Sequence, residues 1–93
     1  LELEISVLSV PRRIKGNYLE QIRIGTDGLI IRGIRSGLLL PQVATEWNFT
    51  PRQFLECVSE KAGMHKDAWR ERYNRIFIFQ AQVIRERDYK NNN

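Results

Sequence analysis

Ninety-three residues, 42% hydrophobic and 28% charged, fill one domain with little room for a second and exclude a disordered or collagen-like chain. No apolar run approaches the roughly eighteen residues of a membrane span, and no charged leader precedes an apolar stretch as in a secretory signal. A net charge of +4 and a pI near 9.6 are compatible with an anionic partner, while the single cysteine excludes an internal disulfide framework and suits a reducing compartment.

The chain opens on Leu1 rather than Met, inside an apolar alternation, which predicts a piece of a longer chain. Leu1, Leu3, Ile5 and Val7 alternate with Glu2, Glu4 and Ser6, the period of a half-buried strand that Pro11 ends. Polar Arg12 to Asn17, with Gly16, reads as a loop, and Tyr18, Leu19 and Ile22 as a short turn packed inward. Ile22–Ile24 and Leu29–Ile31 flank Gly25-Thr26-Asp27-Gly28, which predicts a hairpin turning at Asp-Gly. A second turn spans Gly33 to Gly37, and Leu38-Leu39-Leu40 returns as a strand. Pro41 to Asn48 reads as a connection. Thr50 then caps a helix over 51–62, with Pro51 at its first position, Gln53 completing a capping box and Phe49 and Phe54 spaced as a hydrophobic staple. Phe54, Val58 and Ala62 define its buried face, and Gly63 its left-handed end, with Met64 folding back on Val58. Asp67-Ala68-Trp69 adds a short helical turn. The last strand, Ile76 to Ile84, places Phe77, Phe79, Ala81 and Val83 on an apolar face and Ile76, Ile78, Gln80, Gln82 and Ile84 on a mixed one. From Arg85 the chain is charged and then Asn-rich, a frayed end. The sum is an α+β domain over residues 1–90, an antiparallel sheet of four to five strands with the main helix inserted before the last strand, and a disordered tail at 91–93.

Catalytic signals are poor. Cys57 lies on the apolar face of the predicted helix and His65 just past its end, the pattern of a buried cysteine beside a surface histidine rather than of a thiolate pair. Two such ligands are too few for a metal, and no cofactor is expected. The sequon Asn48-Phe49-Thr50 uses Thr50 as a cap. The basic groups Arg12, Arg13 and Lys15, then Arg70, Arg72 and Arg75, then Arg85 and Arg87 are scattered and interrupted by Glu71, Glu86 and Asp88. That is a solvated mixed surface rather than a phosphate-binding stripe, so nucleic acid is not the expected partner. Phe77 and Phe79 have the spacing of a sheet-face RNA reader, but their apolar neighbours favour burial. Folding alone leaves Arg35-Ser36-Gly37-Leu38-Leu39-Leu40-Pro41-Gln42-Val43-Ala44-Thr45-Glu46-Trp47 unexplained. Its exposed polar and aromatic groups, Arg35, Ser36, Gln42, Glu46 and Trp47, are the candidate binding residues.

The run Arg35-Ser36-Gly37-Leu38-Leu39-Leu40-Pro41-Gln42-Val43 resembles the signature of the AMMECR family, named for a human syndrome candidate gene and widespread in archaea and bacteria. Ile5–Leu8, Ile24–Ile31, Phe54-Leu55, Lys61-Ala62-Gly63, Asp67-Ala68-Trp69, Phe77 and Phe79–Val83 extend the resemblance over nearly the whole chain. Family members are roughly twice as long, and their Leu-Arg-Gly-Cys-Ile-Gly run is absent here. The turn from Gly33 to Gly37 is slightly shorter than theirs. The resemblance therefore implies the C-terminal portion of such a domain, an α+β fold and no settled biochemical activity. It also implies a pathway shared with Memo-like and radical-SAM proteins, whose genes often neighbour those of the family. Three functions are expected in order: a cytoplasmic interaction or regulatory domain with no catalytic site in this segment, part of an enzyme whose catalytic cysteine lies in the preceding half, and a weak nucleic-acid-binding module.

Overall fold

A computed structural model of the chain describes residues 4–85. The expectations that fall on Leu1 and Leu3, on the charged run after Arg85 and on the tail lie outside the described residues. The order is β1 (Glu4–Leu8), β2 (Arg12–Ile14), α1 (Tyr18–Gln21), β3 (Asp27–Arg32), β4 (Ser36–Leu39), α2 (Pro41–Glu46), α3 (Pro51–Lys61), a 3-10 turn (Ala68–Arg70) and β5 (Arg75–Arg85). All pairings are antiparallel, which makes the fold α+β as expected.

The long strand β5 organises the sheet. Its first half lies between β3, with Leu29 opposite Ile78 and Ile31 opposite Ile76, and β2, with Ile14 opposite Ile76. Its second half pairs with β1 alone, from Glu4 opposite Arg85 to Leu8 opposite Ala81. The switch occurs at Gln80. Its backbone N–H donates to Ser9 Oγ (2.8 Å), and its Nε2 donates to the Asp27 carboxylate (2.7 Å). Gln80 thus ties the end of β1 to the start of β3.

One sheet face receives α3. Phe54, Leu55 and Val58 are fully buried against Ile14, Leu29, Ile31, Leu39, Ile76 and Ile78. Each such side chain contributes about 1.5–3 kcal/mol by leaving water. The helix starts where the sequence places it: Thr50 Oγ1 accepts from the Gln53 N–H (3.2 Å), and the Gln53 side chain accepts from the Thr50 N–H (2.9 Å). It stops at Gly63, whose φ of 78° lets its N–H reach the Glu60 carbonyl (2.8 Å) while the Met64 N–H reaches that of Ser59 (3.0 Å). The hairpin of β3 and β4 and the 3-10 turn at Ala68 also form as expected.

Four details differ from the sequence reading. The predicted loop at Arg12–Asn17 contains strand β2, because the open edge of β5 supplies partners that a polar Arg-Arg-Ile run does not advertise. The predicted Asp-Gly hairpin is absent. Asp27 and Gly28 begin β3, and the chain reverses one step earlier, with the Thr26 and Asp27 N–H groups both donating to the Arg23 carbonyl. The connection after Leu40 is helical, as α2. Strand β5 alternates as the sequence groups it: Ile76 and Ile78 enter the α3 core, while Phe77 and Phe79 point to the opposite face, where Phe79 is buried beside Gly28 and Phe77 is half-buried under the Arg32 guanidinium (5.2 Å). Finally, β1 is not half-buried. Ile5 is 60% exposed and Val7 49%, because among the described residues only β1 and β5 pair there.

Candidate functional site

The five candidate residues stand at the two ends of β4. Arg35 and Ser36 are at its start. The Gly33 N–H donates to the Arg35 carbonyl (3.0 Å) to close the tip of the hairpin, and Arg35 Nη1 donates to the Gly63 carbonyl (3.3 Å). That bond fastens the hairpin to the C-terminal end of α3, where carbonyls lack intrahelical partners and attract a cation. Gly37 follows because β4 passes the helix too closely for a side chain: a Cβ there would lie 2.9 Å from the Ala62 backbone nitrogen. The glycine of the signature run is therefore a packing requirement.

Gln42, Glu46 and Trp47 lie past the other end of β4, on α2. Pro41 suits the first turn because it needs no donor there, and its burial with Ala44 turns the opposite side of the helix outward. Gln42 and Glu46, one turn apart, share that exposed side. Trp47 ends the helix with its N–H on the Val43 carbonyl (3.1 Å) and remains 70% exposed. Asn48, in the left-handed region at φ 54°, then redirects the chain so that the Phe49 N–H bonds the Ala44 carbonyl (2.8 Å). Gln42, Glu46 and Trp47 are thus brought together. Arg35 and Ser36 are held apart from them by the four residues of β4, on the order of 10 Å of extended chain.

The Arg35 end contains a feature that residue spacing did not signal. A cavity of about 500 Å³ opens between the β3–β4 hairpin and the segment after α3, lined by Ile34, Arg35, Met64, His65, Ala68, Glu71, Tyr73 and Asn74. Asn74 anchors its floor: it is buried, and its Nδ2 donates to the Ala68 carbonyl (2.9 Å). His65, weighed from sequence only as a partner for Cys57, has its Nδ1 accepting from the Asp67 N–H (3.1 Å). Cys57 is half-buried on α3, where burial, and then the Glu60 carboxylate, push its thiol pKa up. A thiol held protonated in this way is a poor nucleophile. Among the described residues no cluster of three or more His, Cys, Asp or Glu side chains is placed to hold a metal ion, and no helix is long and apolar enough to cross a membrane.

Comparison with known proteins is consistent with this geometry. The AMMECR1 family model matches residues 1–84. A protein of Aquifex aeolicus is 40% identical over 89 residues, covering 91% of this chain and 46% of that protein. One of Methanocella arvoryzae is 42% identical over 90 residues, covering 92% and 46%. The crystal structure of the uncharacterised protein PH0010 from Pyrococcus horikoshii superposes with a TM-score of 0.83 at 39% identity, covering 91% of this chain and 44% of that one. The chain spans about half the length of the curated relatives it matches.

Proposed function

This chain belongs to the AMMECR1 family, and on that footing we propose that it is a cytoplasmic interaction or regulatory domain that binds a protein partner and carries no catalytic site of its own. The exposure of Trp47 carries the reading. A large aromatic group left in water forfeits its burial energy, whereas in an interface Trp is among the residues that contribute most. The buried Pro41 and Ala44 hold α2 rigidly, so Trp47 is presented at little further entropic cost. Trp47 supplies apolar contact, Gln42 hydrogen bonds and Glu46 a partner for a cation. Arg35 and Ser36 extend the surface at the far end of β4 toward an anionic group.

The resemblance to a family whose genes neighbour those of Memo-like and radical-SAM proteins makes a Memo-like protein the first partner to try. Calorimetric titration of the chain with such a protein is expected to give saturable binding. Trp47→Ala and Glu46→Ala are expected to abolish it while leaving the thermal midpoint unchanged. Binding that survives both substitutions refutes the surface.

The second reading is an enzyme whose catalytic cysteine lies in the part of the family domain this chain does not span. The chain's span of about half the length of its relatives supports this reading. In a relative carrying both parts, replacing the cysteine of the Leu-Arg-Gly-Cys-Ile-Gly run would then eliminate turnover. Undiminished activity disposes of this reading.

A further inference from the structure

We propose that the cavity at the tip of the β3–β4 hairpin binds the carboxylate of an apolar amino-acid unit, with Arg35 and His65 as donors to the carboxylate and Glu71 as acceptor from the adjacent N–H. The argument starts from unused hydrogen-bonding capacity. The Arg35 side chain makes one hydrogen bond, to the Gly63 carbonyl, which orients the guanidinium and leaves its other N–H groups without a protein partner among the described residues. A guanidinium held in this way is prepared for a carboxylate, whose two oxygens match its planar fork. His65 adds a second donor. Because its Nδ1 accepts from the Asp67 N–H, a neutral ring carries its proton on Nε2, which has no partner among the described residues.

Glu71 lines the same cavity and makes no ion pair with Arg35. A simple anion site gains nothing from a neighbouring carboxylate, which repels a dianion such as phosphate. The same carboxylate favours a ligand that carries a donor next to its own negative group. An amino-acid unit has that arrangement, as an ammonium in a free amino acid or as an amide N–H at a peptide C-terminus. The remaining walls select the side chain. Ile34, which is 92% exposed, Met64 and the ring of Tyr73 offer an apolar surface, and a cavity of about 500 Å³ lies within the range that accepts a small ligand. Neither Cys57 nor the α2 surface takes part. The proposal shares Arg35 with the interaction surface but does not depend on Trp47.

The test uses the isotopically labelled 93-residue chain and four probes: leucine, N-acetyl-leucine, N-acetyl-leucine amide and inorganic phosphate. Leucine or N-acetyl-leucine is expected to shift the backbone amides of Ile34, Arg35, Met64, His65 and Tyr73 saturably. Tighter binding of leucine assigns the site to free amino acids, and tighter binding of N-acetyl-leucine to peptide C-termini. The neutral amide and phosphate are expected to bind at least about tenfold more weakly. Arg35→Ala, which also loses the bond to the Gly63 carbonyl and some thermal stability with it, should weaken the carboxylate by a similar factor while the chain remains folded by its amide spectrum, and Trp47→Ala leaves the affinity unaffected. The proposal is overturned if neither carboxylate saturates, if the neutral amide or phosphate binds the wild-type chain equally well, or if Arg35→Ala retains full affinity. Failure of the Memo-like titration alone touches only the α2 surface.

Discussion

Replacing Asp27 by Asn probes the contact on which the sheet topology turns. Asp27 is fully buried, and its carboxylate accepts from the Arg23 N–H (2.9 Å) and from Gln80 Nε2 (2.7 Å). Each bond to a charged group contributes about 1.5–3 kcal/mol net. The ion pair with Arg23 Nη2 at 3.5 Å adds at most about 1 kcal/mol, since the Arg23 side chain is largely in water. Asparagine keeps one acceptor oxygen but turns an NH2 group toward a neighbouring donor, so one bond is lost outright and the other falls to neutral strength. The sum is a loss of about 2–4 kcal/mol. Against the roughly 5–15 kcal/mol of a small domain, that is a substantial fraction. Urea denaturation followed by circular dichroism measures it, with an unchanged slope indicating that the native state itself is intact. In a double-mutant cycle, Gln80→Leu should show coupling to Asp27→Asn on the order of 1 kcal/mol. A loss below about 0.5 kcal/mol for Asp27→Asn would refute the claim that this carboxylate, rather than turn propensity, sets where β3 begins.

Gly37→Ala is expected to cost about 1–3 kcal/mol, because the added methyl meets the Ala62 backbone rather than a side chain able to move aside. An unchanged calorimetric midpoint would show that β4 and α3 are not in the contact described. Alkylation of Cys57 by iodoacetamide at neutral pH should be slower in the folded chain than in the urea-unfolded chain, since burial keeps the thiol protonated. With the folded pKa above the unfolded one, the protonated thiol contributes stability below about pH 8.5, and that contribution fades as pH rises through the raised value. Equal alkylation rates in the two states would contradict the assignment.

The sequence is most legible where side chains act on their own neighbours. Thr50, Pro51 and Gln53 specify the start of α3 within four residues, and Gly63 its end, so the main helix forms within one residue of its predicted limits. The β3–β4 hairpin and the Ala68 turn are local in the same sense. Legibility falls where partners are distant. Arg12-Arg13-Ile14 is a strand only because Ile76–Ile78 stands beside it, and Asp27 leaves its turn only because Gln80, 53 residues further on, bonds its carboxylate. Alternation sorts the β5 residues into their two faces, but both are apolar at 76–79, so alternation alone does not say which meets α3. The candidate site follows the same division. Gln42, Glu46 and Trp47 form a group because a short helix collects them. The Arg35 cavity depends on β3–β4 meeting the segment after α3, a juxtaposition with no linear signature.

The β1–β5 ribbon bears on how this unit can be handled and joined. Glu4 stands opposite Arg85, so the polypeptide enters and leaves the described fold one strand spacing apart, about 5 Å. The doorway sits at the end of β5 farthest from Arg75, and the Arg35 cavity lies beside Asn74 at the other end, roughly 30 Å away along the strand. Whatever is joined at Glu4 or at Arg85 therefore leaves the described fold at the end of β5 remote from the cavity. The same geometry suits a circular permutant of residues 4–85, since a short bridge across the ribbon joins Arg85 to Glu4 and new termini can open in an exposed turn such as Gly16–Asn17 without cutting any strand of the described sheet.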